Sequence, residues 1–360
     1  MSVTRQLAVL SISGVGCVAW LGLFRSLAVP LGLVDHPGGR KRHDLPMPVV
    51  GGLAMFLGML PVLFAGGHGA LVNLGLAMLL VVVVGVVDDK ATIPAKTRLT
   101  LEALAALILV AGGLSLRHLG DLVGGGPIGT SLAAPLITVV CVTGTINAMN
   151  MADGLDGLAG SLALVAIAFF TAVALADGDL QLVKVGCAAL GAIAGFLAFN
   201  LRTRFRSRAA VFMGDAGSML LGLVIAWFAI TLAGQRPSLL TPIGAVWIMA
   251  VPLCDMGSVM LHRMQRGQSP FAADRRHLHY LLVDAGMSVS EAVGLLVLAG
   301  VACGAIGVAL PLLGVPEWLL FAAFLGTLAI VYRAMDRHFH GIAAGQPAVA
   351  AIVRRKLAEK

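Results

Sequence analysis

Leu71-Val-Asn-Leu-Gly-Leu-Ala-Met-Leu-Leu-Val-Val-Val-Val-Gly-Val-Val87 is an almost unbroken apolar run, and it stops at Asp88-Asp89-Lys90. A run of this length lies within the range that crosses a bilayer as a helix. Carboxylates cost several kcal/mol in hydrocarbon, so the pair marks the membrane surface and asks for a role there. The placement is also electrostatically awkward, because acidic groups at a helix C-terminus oppose the helix dipole. Adjacent carboxylates at a helix end point in different directions, so one can face a substrate while the other holds a lysine or a metal.

The rest of the chain repeats this pattern. Of its 360 residues, 59% are hydrophobic and only 12% charged, and the mean hydropathy is +0.95. A soluble domain carries roughly twice that charge. Irregular backbone is excluded from lipid, so the expected fold is an all-α integral membrane protein. About eleven transmembrane helices are read from runs of adequate length. They lie near 7–33, 47–66, 71–87, 97–113, 131–149, 158–176, 182–200, 211–233, 241–261, 289–310 and 316–333. Residues 1–335 are read as one polytopic domain and 336–360 as a basic cytoplasmic tail. The first span is too long for the apolar core of a cleavable signal.

Charge sorts the loops. Arg40-Lys41-Arg42, Lys90 and Lys96, the arginines at 202, 204, 206 and 208, Arg263, Arg266, Arg275, Arg276 and the basic tail share one side. Arg5, Arg117 and Arg236 lie on the other. Such asymmetry predicts an outside N-terminus and a cytoplasmic C-terminus. The net charge of +7 is accounted for by orientation and anionic headgroups, and calls for no nucleic-acid partner. The five cysteines are dispersed in apolar runs and suggest neither zinc nor disulfides.

Three further polar stretches sit at span ends on the predicted cytoplasmic side. In Asn147-Ala-Met-Asn150-Met-Ala-Asp153-Gly154-Leu-Asp156-Gly157 the polar residues recur every third position. They form a slowly turning stripe if the helix continues, and Gly154 and Gly157 are expected to open the backbone towards a ligand. Oxygen ligands of this kind suit Mg²⁺ better than zinc. Phe212-Met-Gly-Asp215-Ala-Gly-Ser218 opens the eighth span beside four arginines. That suits a Mg²⁺–diphosphate complex, with the helix N-terminus adding attraction for phosphate; a plain N-cap is the alternative for Asp215. Arg275-Arg276-His277-Leu-His279-Tyr280 crowds cations and imidazoles in the longest inside loop, able to bind a diphosphate or neutralise a leaving group. Lys41 and His43, followed by Pro46-x-Pro48-x-x-Gly51-Gly52, offer a phosphate site at the base of the second span. Gly124-x-Gly126-x-x-Gly129 matches a dinucleotide-binding pattern, but it has no preceding strand and contains Pro127, so a flexible outer loop is expected.

Magnesium ligands, cations for phosphate and a membrane setting point to a nucleotide-activated group and a phosphorylated lipid. The four stretches, in this order, resemble those of the polyprenyl-phosphate N-acetylhexosamine-1-phosphate transferases. The resemblance covers nearly the whole chain, and it implies transfer of a sugar 1-phosphate from a UDP-N-acetylhexosamine to undecaprenyl phosphate, with release of UMP. It also implies a bacterial inner-membrane location with the active site on the cytoplasmic face. Carried over by motif, Asp88 and Asp89 match the pair near the lipid phosphate, Asp88 accepting or orienting its proton. Asn150 and Asp215 match the ligands of Mg²⁺ (or Mn²⁺). Asp153 and Asp156 match aspartates near the nucleotide, with Asn147 in the same motif. His277 and His279, with Arg276, match the loop near the sugar diphosphate, and Lys96 a lysine at the carrier phosphate. A homodimer is a further implication.

Within the family, the His277-x-His279-Tyr280 loop and the Val49-Val50-Gly51-Gly52 segment are similar to the WecA-like GlcNAc-1-phosphate branch. A MraY-like, phospho-MurNAc-pentapeptide transferase loop would carry a histidine run followed by Phe-Glu. Tyr280 and Glu102 depart from the WecA-like pattern and bear on sugar specificity. An ion-coupled transporter is a distant alternative: the acidic groups cluster at one face rather than mid-membrane, with no internal repeat.

Overall fold

The computed structural model describes residues 3–35, 46–64, 69–235, 238–271 and 275–343. Lys41 and His43 lie outside them. The chain is a multi-pass helical membrane protein. Its helices are α1 (Val3–Leu27), α2 (Gly51–Phe64), α3 (Gly69–Lys90), α4 (Ala95–Ala111), α5 (Ala134–Ala152), α6 (Leu158–Ala176), α7 (Leu180–Asn200), α8 (Gly214–Ala233), α9 (Pro242–Ile248), α10 (Ala250–Gln265), α11 (Leu278–Asp284), α12 (Val289–Leu312) and α13 (Glu317–Ala343). A two-stranded antiparallel ribbon pairs β1 (Val34–Asp35) with β2 (Met47–Pro48).

Every expected span has a helix, but fewer meet the length needed to cross. Among the described residues eight helices are long and apolar enough, or nine if the α9–α10 pair counts as one bent span. The count of about eleven included α2 and α4, with 14 and 17 residues. Pro46 and Pro48 keep the chain extended before α2, and α4 is bounded by Pro94 and by Gly112-Gly113. The pair α9–α10 bends by 83°. Pro252 supplies no N–H for the carbonyl four residues earlier, and the break falls there. α13 continues past residue 335 to Ala343.

α8 is the central post, with nearly every side chain buried. It packs on α2, α3, α5 and α6. The approach is close because the crossings are made of small residues. A Cβ on Gly85 would lie 2.2 Å from the Ala216 Cα, one on Gly52 would lie 2.2 Å from the Gly217 N, and one on Gly222 would lie 2.5 Å from the Ile146 Cα. Two of these three contacts fall in the first turn of α8, so they fix the height of Asp215 against α2 and α3.

The ends of α3, α5, α7 and α10 and the starts of α2, α4, α6 and α8 therefore gather at one end of the bundle. The glycine-rich loop between α4 and α5, with Gly124 and Gly126, lies at the other.

Candidate active site

The polar end is built by side chains that terminate helices other than their own. Asp89, at the end of α3, is the cap of α8: its Oδ1 accepts the Asp215 N–H at 2.9 Å and its Oδ2 accepts the Ala216 N–H at 3.4 Å. This resolves the dipole problem of the pair, because the carboxylate sits at the positive end of a neighbouring helix. Gly214 makes the approach possible. Its φ is +73°, and a Cβ there would fall 2.4 Å from Asp89 Oδ2.

Four amides near the expected phosphate sites are bonded within the protein: those of Asp215 and Ala216 by Asp89, and those of Gly51 and Gly52 by the Phe212 and Met213 carbonyls, both at 3.0 Å. Lys41 and His43, the cations expected beside Gly51 and Gly52, lie outside the described residues. Asp215 is not an N-cap; it occupies the first turn of α8.

Asp88 turns the other way. Its Oδ1 accepts the Ile93 N–H at 2.7 Å, and Arg98 Nη1 stands 3.4 Å from its Oδ2. Arg98 lies 3.5 Å from Glu102 and 3.5 Å from the Asn147 oxygen, and Asn147 Nδ2 donates to Glu102 at 2.5 Å. Asn147 is thus held in a buried network with Arg98 and Glu102. Arg98 and Glu102 were not among the sequence candidates, although Glu102 stood out as a departure from the family pattern. Lys96, in the first turn of α4, is exposed.

On α5, Asn150 Nδ2 donates to Asp215 Oδ1 at 2.5 Å and to Ser218 Oγ at 3.0 Å. The two expected metal ligands therefore touch. The polar stripe holds through Asn150 and then breaks, since α5 ends at Ala152 and Asp153 is its C-cap. Asp153 opens to solvent. The carboxylates of Asp215, Asp89 and Asp156 lie around it.

Asp156 leaves the stripe. Its Oδ2 accepts Arg202 Nε at 2.7 Å and the Ala209 N–H at 3.1 Å, so it holds the loop between α7 and α8. Asn200 does the same from α7, accepting the Gly157 N–H at 2.7 Å and donating to the Val211 carbonyl at 2.8 Å. Arg206 caps the end of α7 through the Ala198 and Leu201 carbonyls at 2.7 and 2.8 Å. Two of the four arginines are thereby structural.

The histidine loop closes over this floor. His277 Nδ1 lies 2.8 Å from Asp255 Oδ2, and Asp255 Oδ1 accepts the Leu278 N–H at 2.6 Å. Asp255 was missed as a candidate because it stands alone in α10. His279 stacks on His277 at 5.3 Å and rests on Gly154, where a Cβ would fall 2.0 Å from its Nε2. The missing side chain of Gly154 leaves room for this ring. Burial holds the His279 imidazole down at about 4, with Asp255 opposing and His277 and Arg275 adding to the effect. Burial therefore favours the uncharged ring. Arg275 stacks on Tyr280 at 4.7 Å, and Arg276 is half-buried beside His277.

A divalent cation fits this arrangement. Like charges crowd at Asp89, Asp153 and Asp215, and a cation relieves that repulsion. Among the described residues no three His, Cys, Asp or Glu side chains form a closed cage. An open set with one or two carboxylates suits a hydrated magnesium whose remaining ligands come from substrate phosphates. Asn150 could offer its oxygen to the same cation only with its amide turned over from the orientation that donates to Asp215 and Ser218.

The chain is similar in sequence to known proteins. Residues 71–233, from α3 to the end of α8, match the model of glycosyl transferase family 4. An undecaprenyl-phosphate alpha-N-acetylglucosaminyl 1-phosphate transferase from Yersinia pestis is 36% identical over 312 residues, covering 86% of this chain and 85% of that one. The protein of that name from Escherichia coli (strain K12) is 36% identical over 310 residues, covering 84% and 83%. That from Pasteurella multocida is 35% identical over 319 residues, covering 88% and 89%. With likeness along most of its length and the acidic cluster in place, the chain belongs to glycosyl transferase family 4, among the polyprenyl-phosphate N-acetylhexosamine-1-phosphate transferases.

Proposed function

We propose that the chain transfers N-acetylglucosamine 1-phosphate from UDP-GlcNAc to undecaprenyl phosphate, giving the lipid-diphosphate sugar and UMP at the cytoplasmic face of a bacterial inner membrane. The convergence of Asp89, Asn150, Asp153 and Asp215 at one end of the bundle carries this reading. The names of the relatives support the two substrates, and the loop charges support the orientation.

Asn150 and Asp215 would hold Mg²⁺, which when bound neutralises the diphosphate and the departing nucleotide. An oxygen of the lipid phosphate attacks the sugar-bearing β-phosphorus. The bond from that phosphorus to the bridging oxygen breaks, and UMP leaves with the electron pair. A phosphate monoester has its second pKa at about 6, so the nucleophile needs little help with its proton. Asp88, with both oxygens engaged, fits a positioning role better than that of a free base: it holds Arg98 and the 91–94 turn under the carrier phosphate. Lys96 and Arg276 supply cations at the rim, with His277 beside them. Asp153 faces the nucleotide, and Asp156 keeps the arginine loop in place.

Purified protein with undecaprenyl phosphate and a panel of UDP-sugars tests this. Product from UDP-GlcNAc, lost on chelation and restored by Mg²⁺, is expected. Product only from UDP-MurNAc-pentapeptide would overturn the assignment.

A further inference from the structure

His277 reaches the site through a residue that the α3–α5–α8 cluster does not explain. Asp255 stands on α10, just past the 83° break, and is 4% exposed. One of its oxygens meets His277 Nδ1 at 2.8 Å and the other takes the first amide of α11 at 2.6 Å. Both therefore serve the histidine loop.

The contact fixes the ring as well as the backbone. A carboxylate accepts only, so the nitrogen facing it carries a proton. Nδ1 is then the donor, and Nε2, across the ring, points away from α10. The ring's other neighbours leave it little freedom. His279 lies parallel to it, 11° between planes, and Tyr280 meets it edge-on at 6.3 Å. Turning the imidazole over would leave a buried carboxylate oxygen without a donor.

We propose that Asp255 is a positioning residue for the transfer reaction: it fixes the proton of His277 on Nδ1 and presents Nε2 to the sugar nucleotide. This rests on the transferase reading above. Arg275, from the approach to α11, is the charged group beside the pair, and the His279 ring is the titratable one.

Initial rates for wild type, Asp255→Asn, His277→Asn and the double variant, across UDP-GlcNAc concentrations, test the inference. Loss of a partner that orients an active imidazole lowers kcat/KM by about 10–100-fold, and the double variant should be no slower than His277→Asn. Independent, additive losses, or wild-type rates in Asp255→Asn, would overturn it. Should Asp255→Asn fail to purify folded, Asp255→Glu takes its place in the cycle with the same non-additivity expected. A ¹⁵N spectrum of the His277 ring, assigned by difference from His277→Asn, reads the proton directly. Loss of the protonated Nδ1 signal in Asp255→Asn supports the lock, and an unchanged signal refutes it. Absence of product from wild type would strike the transferase reading, while the spectrum would still judge Asp255.

Discussion

Gly154→Ala probes the joint between the floor of the site and the histidine loop. The new methyl group would lie 2.0 Å from His279 Nε2, 2.7 Å from Cε1 and 2.9 Å from Cδ2. Ordinary contact begins near 3.4 Å, so the ring must retreat by roughly 1.4 Å. It has little room: His279 is 2% exposed, with His277 stacked on it and Tyr280 4.2 Å away. Overpacking of this kind costs about 1–3 kcal/mol. If the strain falls on the active arrangement, kcat/KM drops by roughly 5- to 150-fold. Gly154 has no positive φ, so backbone strain does not cloud the result. Gly144→Ala, ten residues earlier within α5 with nothing within 4 Å of its Cβ, is the control and should be neutral or slightly stabilising. The assay is UMP release from UDP-GlcNAc with a thermal melt beside it. Wild-type rate and melting temperature in Gly154→Ala would refute the packing of His279 on the 153–157 turn.

Other perturbations address the remaining joints. Asp89→Ala removes the cap of α8 and should cost about 0.5–2 kcal/mol, read as a lower melting temperature, with Asp89→Asn milder. Gly214→Ala forces a left-handed residue against Asp89 and should cost at least about 1–2 kcal/mol, with loss of activity; a wild-type melt would contradict the close approach. Arg202 is about one-third exposed, so Arg202→Ala should cost no more than about 1 kcal/mol; Asp156→Ala also leaves the Ala209 amide without its acceptor and should cost about 1 kcal/mol more, read as a lower melting temperature. His279 sets an acid limit. Its folded value of about 4 lies below the ordinary 6.5, so the unfolded chain binds the proton first. Stability is then full above about pH 6.5 and falls as pH drops towards 4. Melts from pH 7 to 4 should show that fall in wild type and a shallower one in His279→Gln.

The sequence made the membrane fold legible because apolar length and loop charge are local quantities. It placed Asp88, Asn150, Asp153 and Asp215 at one end because each follows or precedes a long apolar run. What it could not show were partners far along the chain. Asp89 reads as a metal or substrate group until Asp215, 126 residues later, brings its amide to it. Asp255 carries no motif of its own, and its value appears only when α10 and α11 meet. Asp156 looks like the next member of a helical stripe, but α5 ends at Ala152 and turns it to Arg202. The start of α2 was placed too early, because Pro48 lies within the otherwise apolar segment expected from residue 47 and the helix begins at Gly51.

The transfer itself can be followed with ³²P in the β-phosphate of UDP-GlcNAc, incubated with the purified protein, Mg²⁺ and undecaprenyl phosphate. Attack at the sugar-bearing phosphorus carries all of the label into the lipid product and none into UMP, and Asp215→Asn abolishes it. Label released as free sugar phosphate, or retained in UDP while a lipid-linked sugar forms, would contradict the account.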